Sequence, residues 1–410
     1  MEKEFHIFEL SNGLRVVHKE VSRPVAHCGL LINAGTRDEL EGEEGLAHFI
    51  EHAIFKGTKN RRAYHILNRL DSVGGELDAY TTKEMTCFYA SFLTEYYERA
   101  IELISDITLY STFPEKELEK EKAVVMDEIL VYLDSPADQI YDDFESQVFE
   151  KHALGNPILG KAESLKKFNK EMIHNYMSRL YKTKNMVFTS VGNISVKRLK
   201  NKLEKHFSSL STDHIKNPRY PFTPRKAKKV KVKRDSFQTH CMLGKSTFGG
   251  DNPKRMGLSL LNNILGGPAM NSILNLKIRE KYGYTYNIES NYALYSDSGL
   301  FSIYLATDPK YTNRSLKAVL AELKALRNKK LSSNKLHLAK QQLKGQMAIG
   351  RESNNNLMLS YGKSLLMKNK VKTLAEVYAD LDSITAEEIQ DIAQSELNPD
   401  DFDFLSFEGK

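Results

Sequence analysis

Gly45-Leu-Ala-His48-Phe-Ile-Glu51-His52-Ala-Ile-Phe-Lys-Gly57 decides how this 410-residue chain is read. The stretch contains no proline and closes on glycine, so its composition predicts a short helix. At about 100° per residue, Leu46, Phe49, Ile50 and Ala53 share one face, and His48, Glu51 and His52 share the opposite one. Two imidazoles at i and i+4 can bind one tetrahedral zinc ion. A carboxylate at i+3 can act as general base on a zinc-bound water. The order His-x-x-Glu-His inverts the zinc-protease motif His-Glu-x-x-His. By themselves the five residues also fit a polar helix face whose histidines are solvated or hydrogen-bonded.

A third ligand would separate those readings. Glu117 to Leu133, ELEKEKAVVMDEILVYL, predicts a second helix on which Glu121 and Glu128, at i and i+7, lie almost in line. They fall between Val124 and Val125, on the expected inward face. Uncompensated burial there would be costly or would force protonation, and a bound cation removes the conflict. Glu128 is therefore expected as the third zinc ligand, with Glu121 behind it holding a ligand histidine in one tautomer. The alternative is that both are surface charges beside Lys120 and Lys122.

His48-x-x-Glu51-His52 followed by Glu128, with Glu121 seven positions earlier, resembles the inverzincin metallopeptidases of the pitrilysin family, in its half-length, processing-peptidase-like branch. The resemblance spans nearly the whole chain. It includes Gly13-Leu-Arg-Val-Val17, Asn33-Ala-Gly-Thr-Arg37, Phe55-Lys-Gly-Thr58, Gly74-Gly75 and Asp78-Ala79-Tyr80-Thr81. It implies a zinc-dependent endopeptidase with one zinc ion per chain, in which Glu51 takes the proton of the attacking water and returns it to the leaving amine. It implies that peptide substrate pairs with the strand at Asp78, Ala79 and Tyr80, and that Arg279 and Tyr286 contact the substrate backbone and the developing oxyanion. It further implies a clamshell of two subunits, a homodimer whose active sites are completed in trans or a heterodimer with a paralogue. The same family contains subunits that bind peptides or scaffold complexes without a metal, which is the alternative role. A purely structural zinc would need a fourth protein ligand, and the motif offers none. Two positions depart from the family pattern: Asp78 stands where asparagine is usual, and Tyr284-Thr285 where leucine-alanine is common.

The rest of the sequence sets the frame. Length suggests two domains, and 41% hydrophobic residues suffice for ordinary cores. The net charge of +6 is mixed in sign along the chain, which gives no basis for a nucleic-acid partner. Neither a signal-like N-terminus nor an apolar run of about 18 residues is present, so no membrane role and a cytoplasmic location are expected. Cys28, Cys87 and Cys241, an odd set in strand-like surroundings, fit buried thiols in a reducing compartment.

Strands are expected at Val25–Asn33, Glu84–Leu93 and Asn185–Asn193, interleaved with helices at 67–73, 96–111, 137–149, 170–180 and 197–206. The expected fold is α/β, an α+β sandwich of two homologous domains, each a mixed sheet packed against helices. Residues 1–212 form the zinc-binding domain, 213–227 a linker with several prolines, and 228–410 the second domain. The run Arg225-Lys-Ala-Lys-Lys-Val-Lys-Val-Lys-Arg234 alternates as an edge strand guarded by lysines does. Ala26-His27-Cys28 and Thr239-His240-Cys241 lie 213 residues apart, and Gly45-Leu46 matches Gly257-Leu258. Sliding the motif by 212 residues puts Leu260, Asn263 and Ile264 where His48, Glu51 and His52 stand. The second domain is thus expected to keep the fold without the metal.

Overall fold

Val25-Ala-His-Cys-Gly-Leu-Leu-Ile32 is apolar on both sides of its pleat, and a strand of that composition belongs in the middle of a covered sheet. In the computed structural model, which describes residues 4–212 and 219–410, it does lie there. The first sheet consists of β1 (His6–Glu9), β2 (Arg15–Glu20), β3 (Val25–Ile32), β4 (Glu76–Thr81), β5 (Thr86–Leu93) and β6 (Met186–Gly192). Their order is β1-β2-β6-β3-β5-β4, and β2 with β6 is its parallel pair. His27 is satisfied within the sheet, its Nδ1 lying 2.8 Å from Ser91 Oγ. One face, with Leu30, Phe88 and Phe188, buries against the helices Leu46–Ala53, Tyr97–Tyr110 and Val196–Phe207. The other, with Val17, Leu31, Cys87 and Val187, is covered by the helix Asn354–Lys368 through Leu357, Met358, Tyr361 and Leu365. Gly362 admits that helix: a Cβ there would lie 2.7 Å from Leu31 Cδ1.

The second sheet has β7 (Lys229–Lys233), β8 (Thr239–Thr247), β9 (Thr285–Leu294), β10 (Gly299–Thr307) and β11 (Asp403–Glu408), in the order β7-β11-β8-β10-β9. This repeats β2-β6-β3-β5-β4, down to the parallel pair β7 with β11. The lysine-rich β7 is an edge strand, as its sequence suggests. Phe301 and Ile303 on one face of β10 meet Leu258, Leu261 and Leu323. Leu300 and Tyr304 on the other meet Ile140, Phe144 and Val148 of the helix Pro136–Val148.

The units are not continuous in sequence, unlike the expected 1–212 and 228–410. One comprises Met1–Ile129, Asn156–Arg219 and Ala348–Thr373; the other comprises Leu130–Gly155, Tyr220–Met347 and Leu374–Lys410. The physical reason is that each sheet is apolar on both faces, while the helices nearest in sequence cover one. Of the expected linker, residues 213–218 lie outside the described residues, and 219–227 contain neither helix nor strand. Among the described residues no helix is long and apolar enough to cross a membrane.

Candidate metal centre

The motif helix Leu46–Ala53 starts from Gly45, whose φ of 93° favours glycine. A Cβ on Gly45 would also sit 2.7 Å from Gly160 Cα. The free N–H groups of the helix start are taken by Glu39, which accepts from Gly45 N at 3.0 Å and Ala47 N at 2.9 Å. Burial nonetheless holds the Glu39 carboxyl well above the usual range. Leu46, Phe49, Ile50 and Ala53 are fully buried, the face assigned to them by periodicity. His48 is buried, and Glu51 and His52 are half-buried on the opposite side.

The helix Glu115–Leu133 supplies the carboxylates. Its buried residues are Leu118, Glu121, Val125 and Ile129, a stripe of helical period. Glu128 lies on the shoulder of that stripe with its side chain 43% exposed, and Val124 is exposed too. The expected inward face is corrected accordingly: it carries Glu121 and Val125, whereas Glu128 and Val124 lie one angular step outside it.

His48, His52 and Glu128 come together, with one potential ligand atom from each within 4.8 Å of the others. Glu128 Oε2 is 3.7 Å from His48 Nε2 and 3.5 Å from His52 Nε2. Bonds of about 2.1 Å around a tetrahedral ion leave ligand atoms about 3.4 Å apart, so the spacing and the N, N, O donor set fit zinc. Three protein ligands leave a fourth position for water or substrate. Behind them, Glu121 Oε1 is 3.1 Å from His52 Nδ1, and its Oε2 pairs with Lys56 Nζ at 2.6 Å. With the proton on Nδ1, His52 donates to Glu121 and turns its Nε2 lone pair toward Glu128.

Electrostatics follow from this layout. Burial, with His52 alongside, pushes His48 down to about 4, which keeps it neutral and able to ligate. The hydrogen bond to Glu121 raises His52. Burial would raise Glu121, but His52 and Lys56 hold it below the ordinary carboxylate value. Glu51 is raised, chiefly by burial, with Glu128 and Asp78 adding to the shift and Thr81 and His52 opposing it.

Asp78, Ala79 and Tyr80 lie on β4, an edge strand packed beside the motif helix. The Asp78 carboxylate accepts hydrogen bonds from the Tyr89 hydroxyl at 2.7 Å and from Ala79 N at 2.8 Å. Arg279 and Tyr286 also meet: the guanidinium carbon lies 4.8 Å above the ring of Tyr286, which is 80% exposed. Both belong to the second unit, Arg279 on the π-helical segment Asn275–Lys281 and Tyr286 on β9. Leu260, Asn263 and Ile264 lie on the helix Arg255–Gly266, with Leu260 and Asn263 buried. Lys56, Glu39 and Thr81 were given no role in the site from the sequence. Lys56, four residues after His52, had a signal; Glu39 reaches the helix start from a preceding loop and had none.

The chain is thus a twice-repeated α/β fold whose first copy brings the Glu128 carboxylate up to an inverted zinc-protease motif. Residues 15–162 match the family model described as insulinase (peptidase family M16), and residues 167–343 match that of the peptidase M16 inactive domain. The chain is 34% identical over 393 residues to an uncharacterized zinc protease of Bacillus subtilis, covering 94% of each chain. It is 32% identical over 399 residues to an uncharacterized zinc protease of Mycobacterium leprae, covering 95% of this chain and 88% of the relative. It therefore belongs to peptidase family M16, as a half-length member. Among solved structures, a protease from Helicobacter pylori superposes with a TM-score of 0.92 at 21% identity, over 98% of this chain and 99% of the other. A peptidase M16 inactive domain from Pseudomonas fluorescens gives 0.91 at 21% identity, over 99% and 98%. Both share the fold.

Proposed function

We propose that this protein is a zinc-dependent endopeptidase acting on peptides or short unfolded polypeptides. The observation that carries the reading is the convergence of His48, His52 and Glu128 beside a half-buried Glu51 and an edge strand. His48 and His52 would hold zinc through Nε2 and Glu128 through a carboxylate oxygen. Bound zinc would supply Lewis-acid polarisation of a water and of the scissile carbonyl.

The remaining work falls to the chain. Glu121 fixes the ring of His52, and Lys56 keeps Glu121 ionised. Glu51, raised by burial, takes a proton from the attacking water and returns it to the leaving amine. A peptide adds to β4 through main-chain hydrogen bonds, which tolerate varied side chains. Asp78, occupied by Tyr89 and Ala79 N–H, holds that edge in shape. Tyr286, which is exposed, and Arg279, which is half-buried beside Glu280, are donors suited to a substrate carbonyl and its oxyanion. Since each chain carries both sets of groups, the partner we favour is a second copy, with Arg279 and Tyr286 of one chain serving the metal group of the other. Three buried, unpaired thiols support a reducing, cytoplasmic setting.

The test is digestion of a mixed peptide library by zinc-loaded protein, read by mass spectrometry. Products that disappear on chelation are expected. No products over many hours, at concentrations that favour dimers, would leave a peptide-binding subunit instead.

A further inference from the structure

The two sheets differ at one edge. The first runs β1-β2-β6-β3-β5-β4, and the second, β7-β11-β8-β10-β9, repeats it from β2 onward with no strand in the place of β1. β1 lies antiparallel on the outer edge of β2, Ile7 opposite Val17 and Phe8 opposite Val16. β7, the counterpart of β2, pairs with β11 alone among the described residues, so its outer edge is open.

Alternate residues of a strand turn their main-chain groups to opposite edges. Phe404 N–H donates to the Lys228 carbonyl at 2.8 Å, and Arg234 N–H to the Glu408 carbonyl at 3.0 Å. Lys228, Val230, Val232 and Arg234 therefore turn toward β11. The N–H and C=O groups of Lys229, Lys231 and Lys233 face outward, and none has a main-chain partner among the described residues. Their three side chains share one face of the sheet and are exposed. Lys231 pairs with Glu408 at 2.7 Å, whereas Lys229 and Lys233 have no acidic partner among the described residues. On the other face Val232 packs against the core, and Val230 is 37% exposed. Two copies of β7 edge to edge would set lysine against lysine, so these charges refuse a second copy. An acidic strand meets no such barrier.

We infer that the outer edge of β7 is a docking site for an extended acidic segment of a partner protein, which adds to the second sheet as β1 adds to the first. Directly opposite residues of paired strands lie on the same face. The segment therefore carries Asp or Glu at alternate positions, opposite Lys229, Lys231 and Lys233, with apolar residues between them, opposite Val230 and Val232. Main-chain hydrogen bonds supply the affinity, and the lysines supply the choice of partner. The site needs no zinc and is independent of the peptidase reading.

The experiment measures fluorescence anisotropy of labelled peptides. One has the core Glu-Val-Glu-Val-Glu, and a second has the same composition with its glutamates in a block. Two more carry the alternating core N-methylated either at the glutamates, whose N–H groups would face β7, or at the valines. The host is the full chain carrying Glu51→Gln, so that peptide is not consumed. At low salt the alternating peptide should bind about tenfold more tightly than the block peptide. Methylation at the glutamates should abolish binding, and methylation at the valines should leave it. Lys229→Glu with Lys233→Glu, both on the surface, should weaken the acidic peptide at least about tenfold and admit one with Lys-Val-Lys-Val-Lys. Lys231→Pro removes an outward N–H where an edge strand tolerates proline, and it should also abolish binding. His48→Ala should change nothing. Equal binding of the alternating and block peptides, or binding that survives methylation at the glutamates, would reduce the site to charge attraction and overturn the inference. Loss of binding in His48→Ala would overturn it by assigning the peptide to the metal centre. Self-association of the unmutated chain that Lys231→Pro abolishes would give the edge to a second copy, and so would overturn it too.

Discussion

Replacing Glu121 by glutamine keeps the side-chain shape and removes its charge. Glu121 is 5% exposed, and its two oxygens serve different partners, His52 Nδ1 at 3.1 Å and Lys56 Nζ at 2.6 Å. The glutamine oxygen can still accept from one of them. The other position becomes an N–H₂ donor facing a donor, and whichever way the amide turns, one contact is lost. Removing the outer partner of a ligand histidine typically weakens metal binding about 10–100-fold, or about 1.4–2.8 kcal/mol. The assay is competition for zinc against a chromophoric chelator, with a thermal melt of the same sample to show that it is folded. Lys56→Met, which leaves His52 and Glu121 in contact, should weaken zinc binding less than Glu121→Gln. A folded Glu121→Gln protein whose zinc affinity stays within about twofold of the original would refute the idea that Glu121 orients His52.

Four further outcomes test other parts of the account. Phe49→Ala, at a fully buried position packed on Phe168, should cost about 3–5 kcal/mol in urea unfolding, and a cost below about 1 kcal/mol would deny that this face anchors the motif helix. Gly362→Leu should cost at least about 1–3 kcal/mol by forcing the helix Asn354–Lys368 off Leu31. Glu98, held down to about 2 by Lys202, Lys205 and His206, contributes stability that is present above its ordinary value near 4.5 and is lost as pH falls through about 2. The stability gap between the original and Glu98→Gln should therefore narrow as urea midpoints are taken from neutral to acid pH, and a constant gap would rule the ion cluster out. The thiols of Cys28, Cys87 and Cys241 are buried and their ionisation is pushed up by burial, Cys241 to about 12. They should stay unreactive toward a thiol reagent until the protein unfolds.

Local pattern explains which parts of this molecule could be read from its sequence. The motif helix announces itself by opposite apolar and polar faces, and the four residues that the 3.6-residue period assigns to the core are fully buried, with Ala47 and His48 of the remaining positions buried as well. The repeat of β3 as β8 was visible in Ala26-His27-Cys28 and Thr239-His240-Cys241, and the strand orders bear it out. What escaped was set by distant partners. The helix Pro136–Val148 has an apolar face that would suit either sheet, and nothing within it says that it belongs with β8, β10 and β11. Glu128 looked inward by its alignment with Glu121, yet a small angular offset puts it at the rim of the buried stripe. Glu39 reaches the helix start through tertiary geometry that no local spacing encodes.

The central claim is that Glu51 moves the proton for hydrolysis at a zinc ion held by His48, His52 and Glu128. The most direct test measures peptide cleavage rate and zinc content together for the unmutated protein and Glu51→Gln. The account predicts about one zinc ion per chain in both, with a cleavage rate at least about 10²-fold lower in Glu51→Gln. Cleavage that persists undiminished in zinc-loaded Glu51→Gln protein would contradict it.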